Sequence, residues 1–267
     1  MVYGVLTMIN FAHGDVFMIG AFACLALVTM LPVTLPFVVI LILAMLITAL
    51  LGALLERFAY RPLRNAPRVS AIITALGCGL VIQNTMLGFS PYSKAMPTLF
   101  QSKTFHIWGI TISTLQILII GISVFLMLAL DFLIRKTRYG IAMRAVASNA
   151  PIVPLMGVPV DRVIALTFAL GAALGGAAGM LYGLAYPVIS ATMGAIVGWK
   201  AFVAAVIGGI GNIRGAVLGA YLLGSVEILT IAYLPSTYRD LIAYSLLLVV
   251  LIIKPHGLLG TPPITKV

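Results

Sequence analysis

Charge is what this sequence has least of. Only 8% of its 267 residues are Asp, Glu, Lys or Arg, against 62% hydrophobic. A soluble domain carries about 25% charged residues. A chain this apolar cannot cover a water-facing surface, which excludes a soluble enzyme, a nucleic-acid-binding domain and a disordered segment. Acidic residues are scarcest, six against sixteen Lys and Arg, for a net charge of +10. So few carboxylates leave no acid–base pair for catalysis and little for ion-coupled transport. Cysteine is nearly absent too. Cys24 and Cys78 lie in separate apolar runs with no CxxC spacing and no histidine beside them, so they read as packing residues and not as a disulfide or metal ligands. HExxH and GxSxG patterns are missing. A phosphate-binding P-loop needs GxxxxGK[ST], but the Lys103-Thr104 pair has Ser102 and Pro97 where glycines belong. The glycines of Gly208-Gly209-Ile210-Gly211-Asn212-Ile213-Arg214-Gly215 lack GxGxxG spacing. No metal and no cofactor of the chain's own is expected, and the chain is not expected to hydrolyse ATP.

What remains is long apolar runs, with a mean hydropathy of +1.19. A spanning helix takes about 20 mostly apolar residues. Runs near 16–31, 36–55, 69–88, 115–134, 163–185, 196–210, 215–234 and 240–253 predict about eight spans. Sustained period-2 alternation is lacking, so the fold class is all-α, a polytopic transmembrane bundle, rather than a barrel. The whole of 1–267 reads as one membrane domain. Basic residues cluster between runs, which sets orientation rather than binding nucleic acid. Arg57, Arg61, Arg64 and Arg68 mark one cytoplasmic loop, and Arg135, Lys136, Arg138, Arg144 and Arg162 mark another. Lys254 and Lys266 put the C-terminus on the same side, while 89–113, with only Lys94 and Lys103, belongs outside. Trp108, Tyr92, Trp199 and Tyr238 read as interfacial anchors. The chain opens on apolar Val2-Tyr3-Gly4-Val5-Leu6 with no basic region ahead of a cleavage site, so its start reads as the tail of a helix and not as a signal peptide.

The stretch from Gly4 to Ala21, GVLTMINFAHGDVFMIGA, resembles the signature of branched-chain amino-acid ABC importer permeases of the LivH type. Four further blocks are similar to the same family, in the family's order. They are Glu56-Arg57 through Tyr60-Arg61-Pro62-Leu63-Arg64 with Gln83-Asn84, Asp161 through Gly171, Lys200 through Gly211, and the ending Lys254-Pro255-His256-Gly257-Leu258-Leu259-Gly260. The family's first N-terminal helix is absent from this sequence. The resemblance implies the translocation subunit of a binding-protein-dependent importer in a bacterial inner membrane. Its implied partners are a second homologous permease, two ATP-binding subunits that hold the ATP, a periplasmic substrate-binding protein and the lipid bilayer.

Asn10, His13 and Asp15, with Gly14 between, are polar groups at the edge of apolar surroundings. Gly14 can break a helix and Asp15 can cap the run that starts at Val16. A half-helix N-terminus facing a cavity receives an anionic group such as an amino-acid carboxylate. The other reading is that the three polar groups satisfy one another and the broken backbone. Gly171, Gly175, Gly179 and Gly183 recur every fourth residue, one ridge that admits a second helix closely, from this chain or from a partner. Lys200 and Glu227 fall in or near spans, where an unpaired charge costs about 2.5–3.5 kcal/mol, so each needs a partner or water. They can pair with each other. The segment 138–161 is too polar to span, and Ser148 or Asn149 can cap a short helix with Pro151 in its first turn, ending at Gly157. By resemblance it couples to the ATPase, through Tyr139, Gly140, Arg144, Asn149 and Gly157. It departs from the family at Val153-Pro154, where an Ala pair is usual. The competing reading is a solvated connector held inside by its charges.

A urea or short-chain amide permease shares these motifs. A self-sufficient secondary transporter would show an inverted repeat and more membrane carboxylates. A channel would show a repeated ring of pore residues.

Overall fold

The computed structural model describes residues 10–32, 35–64, 66–100, 103–107 and 109–260. The chain's opening with signature residues 4–9, together with Asn65, Ser102, Trp108 and Lys266, lies outside the described residues.

Each predicted apolar run forms a helix: α1 (His13–Thr29), α2 (Phe37–Leu55), α3 (Arg68–Phe89), α4 (Thr114–Lys136), α6 (Val160–Ala185), α7 (Met193–Gly208), α8 (Ile213–Tyr233) and α9 (Tyr238–Ile253). Five stretches are long and apolar enough to cross a membrane: Phe37–Leu63, Val69–Phe89, Thr114–Lys136, Val160–Ala185 and Ile213–Tyr233. Helices α1 and α7 are shorter apolar helices. The stretch from Phe37 continues past α2 through a π-turn, Glu56–Tyr60, and a 3-10 turn, Arg61–Leu63.

Side-chain size decides which helix is central. Within its most apolar window α6 is 67% buried, whereas α4 is 0% buried. Glycine and alanine line α6, so neighbours close onto its backbone. Helix α4 turns Ile117, Ile120, Phe125, Leu128 and Phe132 outward, as a lipid-facing helix does. It starts at a capping box in which Ser113 and Gln116 satisfy each other's backbone N–H groups. Two small ladders occupy the polar connections. Lys94–Ala95 (β1) pairs antiparallel with Val188–Ile189 (β4), and Thr104–Ile107 (β2) pairs with Ile110–Ser113 (β3).

The chain divides into two compact units, residues 4–198 and residues 199–267, the division falling inside α7. The first has its core in Cys24, Ile40, Ala44, Met96, Ala177 and Met180. The second centres on Val203, Ala204, Ile207, Leu223 and Ala243. There the α7–α8 turn and the segment after α9, two of the motif blocks, come together. Leu258 N donates to Ile207 O at 2.9 Å, and Leu259 N donates to Gly208 O at 3.0 Å. Asn212 caps α8 and donates its amide to Leu259 O at 2.9 Å. Gly209, at φ 106°, lies against Gly257 and Gly260. Only glycine suits that conformation and that approach.

Two local expectations are corrected. Helix α1 is not broken at Gly14 and Asp15 is not its cap. It starts at His13 behind Ala12, which gives no side-chain cap, so Asp15 sits in the first turn. The polar segment is itself a helix, α5 (Arg138–Asn149), so Ser148 and Asn149 close one helix rather than cap the next. Thr137 caps α5, its Oγ1 accepting from Gly140 N at 3.2 Å, and Gly140, Met143 and Val146 form its buried face at helical spacing. Ala150 keeps helical angles, φ −53° and ψ −38°, but Pro151 has no N–H to extend the ladder. A 3-10 turn follows at Val153–Met156, with Pro154 and not Pro151 in its first positions, and Gly157 closes it at φ 76°.

Candidate functional site

The first turn of α1 lies where α3, α6 and α7 approach it, and glycines make the approach possible. A side-chain carbon on Gly14 would strike the backbones of Gly194 and Gly198. One on Gly79 of α3 would stand 2.5 Å from Asp15 Oδ2, and one on Gly175 of α6 would stand 3.1 Å from His13 Cε1. The three polar side chains therefore diverge rather than bond one another. Asn10 Oδ1 accepts from Tyr60 OH at 2.7 Å, His13 lies over Gly175, and the buried Asp15 carboxylate lies over Gly79. Tyr60 comes from the π-turn, and its ring packs 4.8 Å from that of Phe168 on α6. The junction packs the polar groups beside and within the first turn of α1 against the buried backbone of neighbouring glycines.

The glycine ridge of α6 meets α1 of the same chain. A carbon on Gly179 would collide with the Phe17 carbonyl and lie 3.2 Å from Ala21 N. At Gly183 the neighbours are Met96 Cε at 3.0 Å and Ala21 Cβ at 3.7 Å, and Gly171 is buried on the same helix. Beside the ridge, Gly176 meets Gly20 of α1 and Thr48 of α2, and Ala172 meets Gly52 of α2. Helix α6 is thus wedged between α1 and α2.

Helix α5 folds back on the end of α4. Gly140 lies against the Leu133 and Ile134 carbonyls, and Arg144 Nη1 donates to Ile134 O at 2.5 Å. A cation on the last carbonyls of a helix also suits its dipole. Asn149 O accepts from Ile152 N at 3.2 Å. Tyr139 in the first turn of α5 is exposed, and beyond α5 the segment exposes Ile152, Leu155 at 86% and Met156 at 77%. Next to it lies an ion cluster. Asp161, in the first turn of α6, takes both Arg61 and Arg64, and Arg64 also takes the buried Glu56.

In the second unit, Lys200 Nζ donates to Glu227 at 2.7 Å and lies 3.1 Å from Asp240. Lys200 thus has two carboxylate partners, one on α8 and one in the first turn of α9.

Residues 1–251 match the family described as branched-chain amino acid transport system, permease component. The chain belongs to that family. It is 41% identical over 278 residues to the high-affinity branched-chain amino acid transport system permease protein LivH of Salmonella typhimurium, covering 100% of this chain and 90% of the relative. To BraD of Pseudomonas aeruginosa, a permease protein of the same description, it is 40% identical, covering 100% and 91%. A probable LivH of Methanocaldococcus jannaschii is 27% identical, covering 94% and 82%. No solved structure matches. The permease is a multi-pass membrane protein.

Sequence reading of the permease missed Tyr60, Gly79, Gly194 and Gly198 at the α1 junction, and it missed the Glu56–Arg64–Asp161–Arg61 cluster. The cluster had a visible signal. Glu56 and Asp161 are two of only six acidic residues, and each stands at the edge of a predicted span.

Proposed function

We propose that this permease is the membrane translocation subunit of a binding-protein-dependent ABC importer of branched-chain amino acids. Full-length likeness at 40–41% identity to LivH and BraD carries the reading. In the assembly the permease pairs with a second, homologous permease and binds two ATP-binding subunits, which hold and hydrolyse the ATP. A periplasmic binding protein delivers the substrate. The membrane is the bacterial inner membrane, with 56–68, 135–162 and the C-terminus cytoplasmic and 89–113 external. Asn10 just ahead of α1, with His13 and Asp15 in its first turn, borders the translocation path. Helix α5 and the turn through Gly157 form the coupling segment, and the exposed Leu155 and Met156 supply apolar surface for an ATPase groove.

Uptake of labelled leucine into vesicles holding the full assembly tests the reading. Competition by isoleucine and valine, dependent on ATP and on the binding protein, is the expected result. Competition by urea or a short-chain amide instead would reassign the substrate. Uptake by the permease alone, driven by an ion gradient, would make it a secondary transporter.

A further inference from the structure

The segment 138–161 joins α6 directly, with only Val158, Pro159 and Val160 between Gly157 and Asp161. Asp161 is the one acidic residue in the first turn of α6, and its carboxylate holds Arg61 and Arg64 from the loop after α2. Arg64 reaches onward to Glu56, whose side chain is 3% exposed. Glu56 opens the π-turn and Tyr60 closes it. Tyr60 then donates to Asn10 ahead of α1 while its ring rests on Phe168, further along α6. A continuous run of contacts therefore links the end of the 138–161 segment to Asn10, whose carbonyl accepts from His13 N at the start of α1 at 3.2 Å. π-turns inside helices occur frequently at functional sites, and this one places Glu56 and Tyr60 at the two ends of the run.

We infer that Asp161, Arg64 and Glu56 are positioning residues that hold the start of α6 to the π-turn, so that displacement of the 138–161 segment moves Tyr60 and Asn10 with it. The inference rests on the transport reading above. The two arms differ in strength. The outer pair, Arg61–Asp161, has side chains 48% and 49% exposed. Such exposed pairs add little to stability. The inner pair, Arg64–Glu56, is 20% and 3% exposed, and removing its arginine would strand a carboxylate away from water. Mutation of Glu56 or Arg64 would thus confuse folding with coupling, while Asp161 can lose its charge with the fold intact.

The test compares Asp161→Asn and Asp161→Glu with wild type in the assembled importer. It measures protein level in the membrane, ATP hydrolysis and substrate uptake. The expected result is unchanged level and assembly for both variants, about a threefold fall in uptake per ATP hydrolysed for Asp161→Asn, the scale of an exposed ion pair, and recovery to near the wild-type ratio for Asp161→Glu. Tyr60→Phe, which keeps the ring and removes the donor to Asn10, should lower the same ratio. A purely structural role would lower level, hydrolysis and uptake together. Wild-type coupling in Asp161→Asn overturns the latch while leaving the transport reading in place. A wild-type assembly that shows no uptake overturns the transport reading and the latch with it.

Discussion

At the scale of single residues, what a glycine faces decides what its substitution costs. Gly175 faces a histidine ring and Gly179 faces the Phe17 carbonyl. A ring edge can turn aside, but backbone moves only with its whole helix. Gly175→Ala should therefore be tolerated with a fall in thermal stability of about 1 kcal/mol, and Gly179→Ala should lose about 3 kcal/mol or fail to assemble. Detergent-solubilised melting and membrane level check the order, and equal tolerance of both would remove the claim that α1 and α6 touch at backbone distance. Gly157 is a different case, since it has open space around it but a φ of 76°. Proline is locked near φ −65°, so Gly157→Pro should re-aim Asp161 relative to the turn before it. Membrane level should hold while substrate-stimulated ATP hydrolysis drops; wild-type stimulation would show that the turn's direction does not matter.

At the scale of elements, α5 packs against the end of α4 while the turn after it leaves apolar side chains exposed. Arg144 staples α5 to the end of α4, so Arg144→Glu sets a negative charge against carbonyls that already carry partial negative charge and should loosen the α4–α5 corner itself. Leu155 and Met156 are better probes of an outer surface. Leu155→Asp, at a side chain 86% exposed, should leave the permease in the membrane at its normal level and lower ATPase co-purification about tenfold, the scale of losing one apolar anchor. Undiminished co-purification would place the docking surface elsewhere. The same elements show why some of this was legible in sequence and some was not. Eight apolar runs announce eight helices because apolar length is a local property. The four-residue glycine spacing announces a ridge, but not that α1 is what meets it. Helix α5 was hidden because its signal is a modest three-residue periodicity among arginines, and the eye falls on Pro151 and the caps. The Asp161 cluster was hidden by distance, since its partners lie 100 and 97 residues away along the chain and no local pattern pairs them.

At the scale of the whole molecule, the distribution of basic loops predicts sidedness. In a background with Cys24 and Cys78 replaced, an impermeant thiol reagent should label Tyr92→Cys on intact cells and should label Ala66→Cys, Arg138→Cys and Lys254→Cys only after permeabilisation. External labelling at position 66 or 138 would invert the topology. The docking of residues 258 and 259 onto the α7–α8 turn bears on how the protein is made. The carbonyls of Ile207 and Gly208 receive donors from backbone that follows α9 in synthesis, so this docking cannot form until α9 has been made. A chain interrupted before Lys254 would lack both donors and leave the glycine turn unclosed, although α7, α8 and α9 were complete.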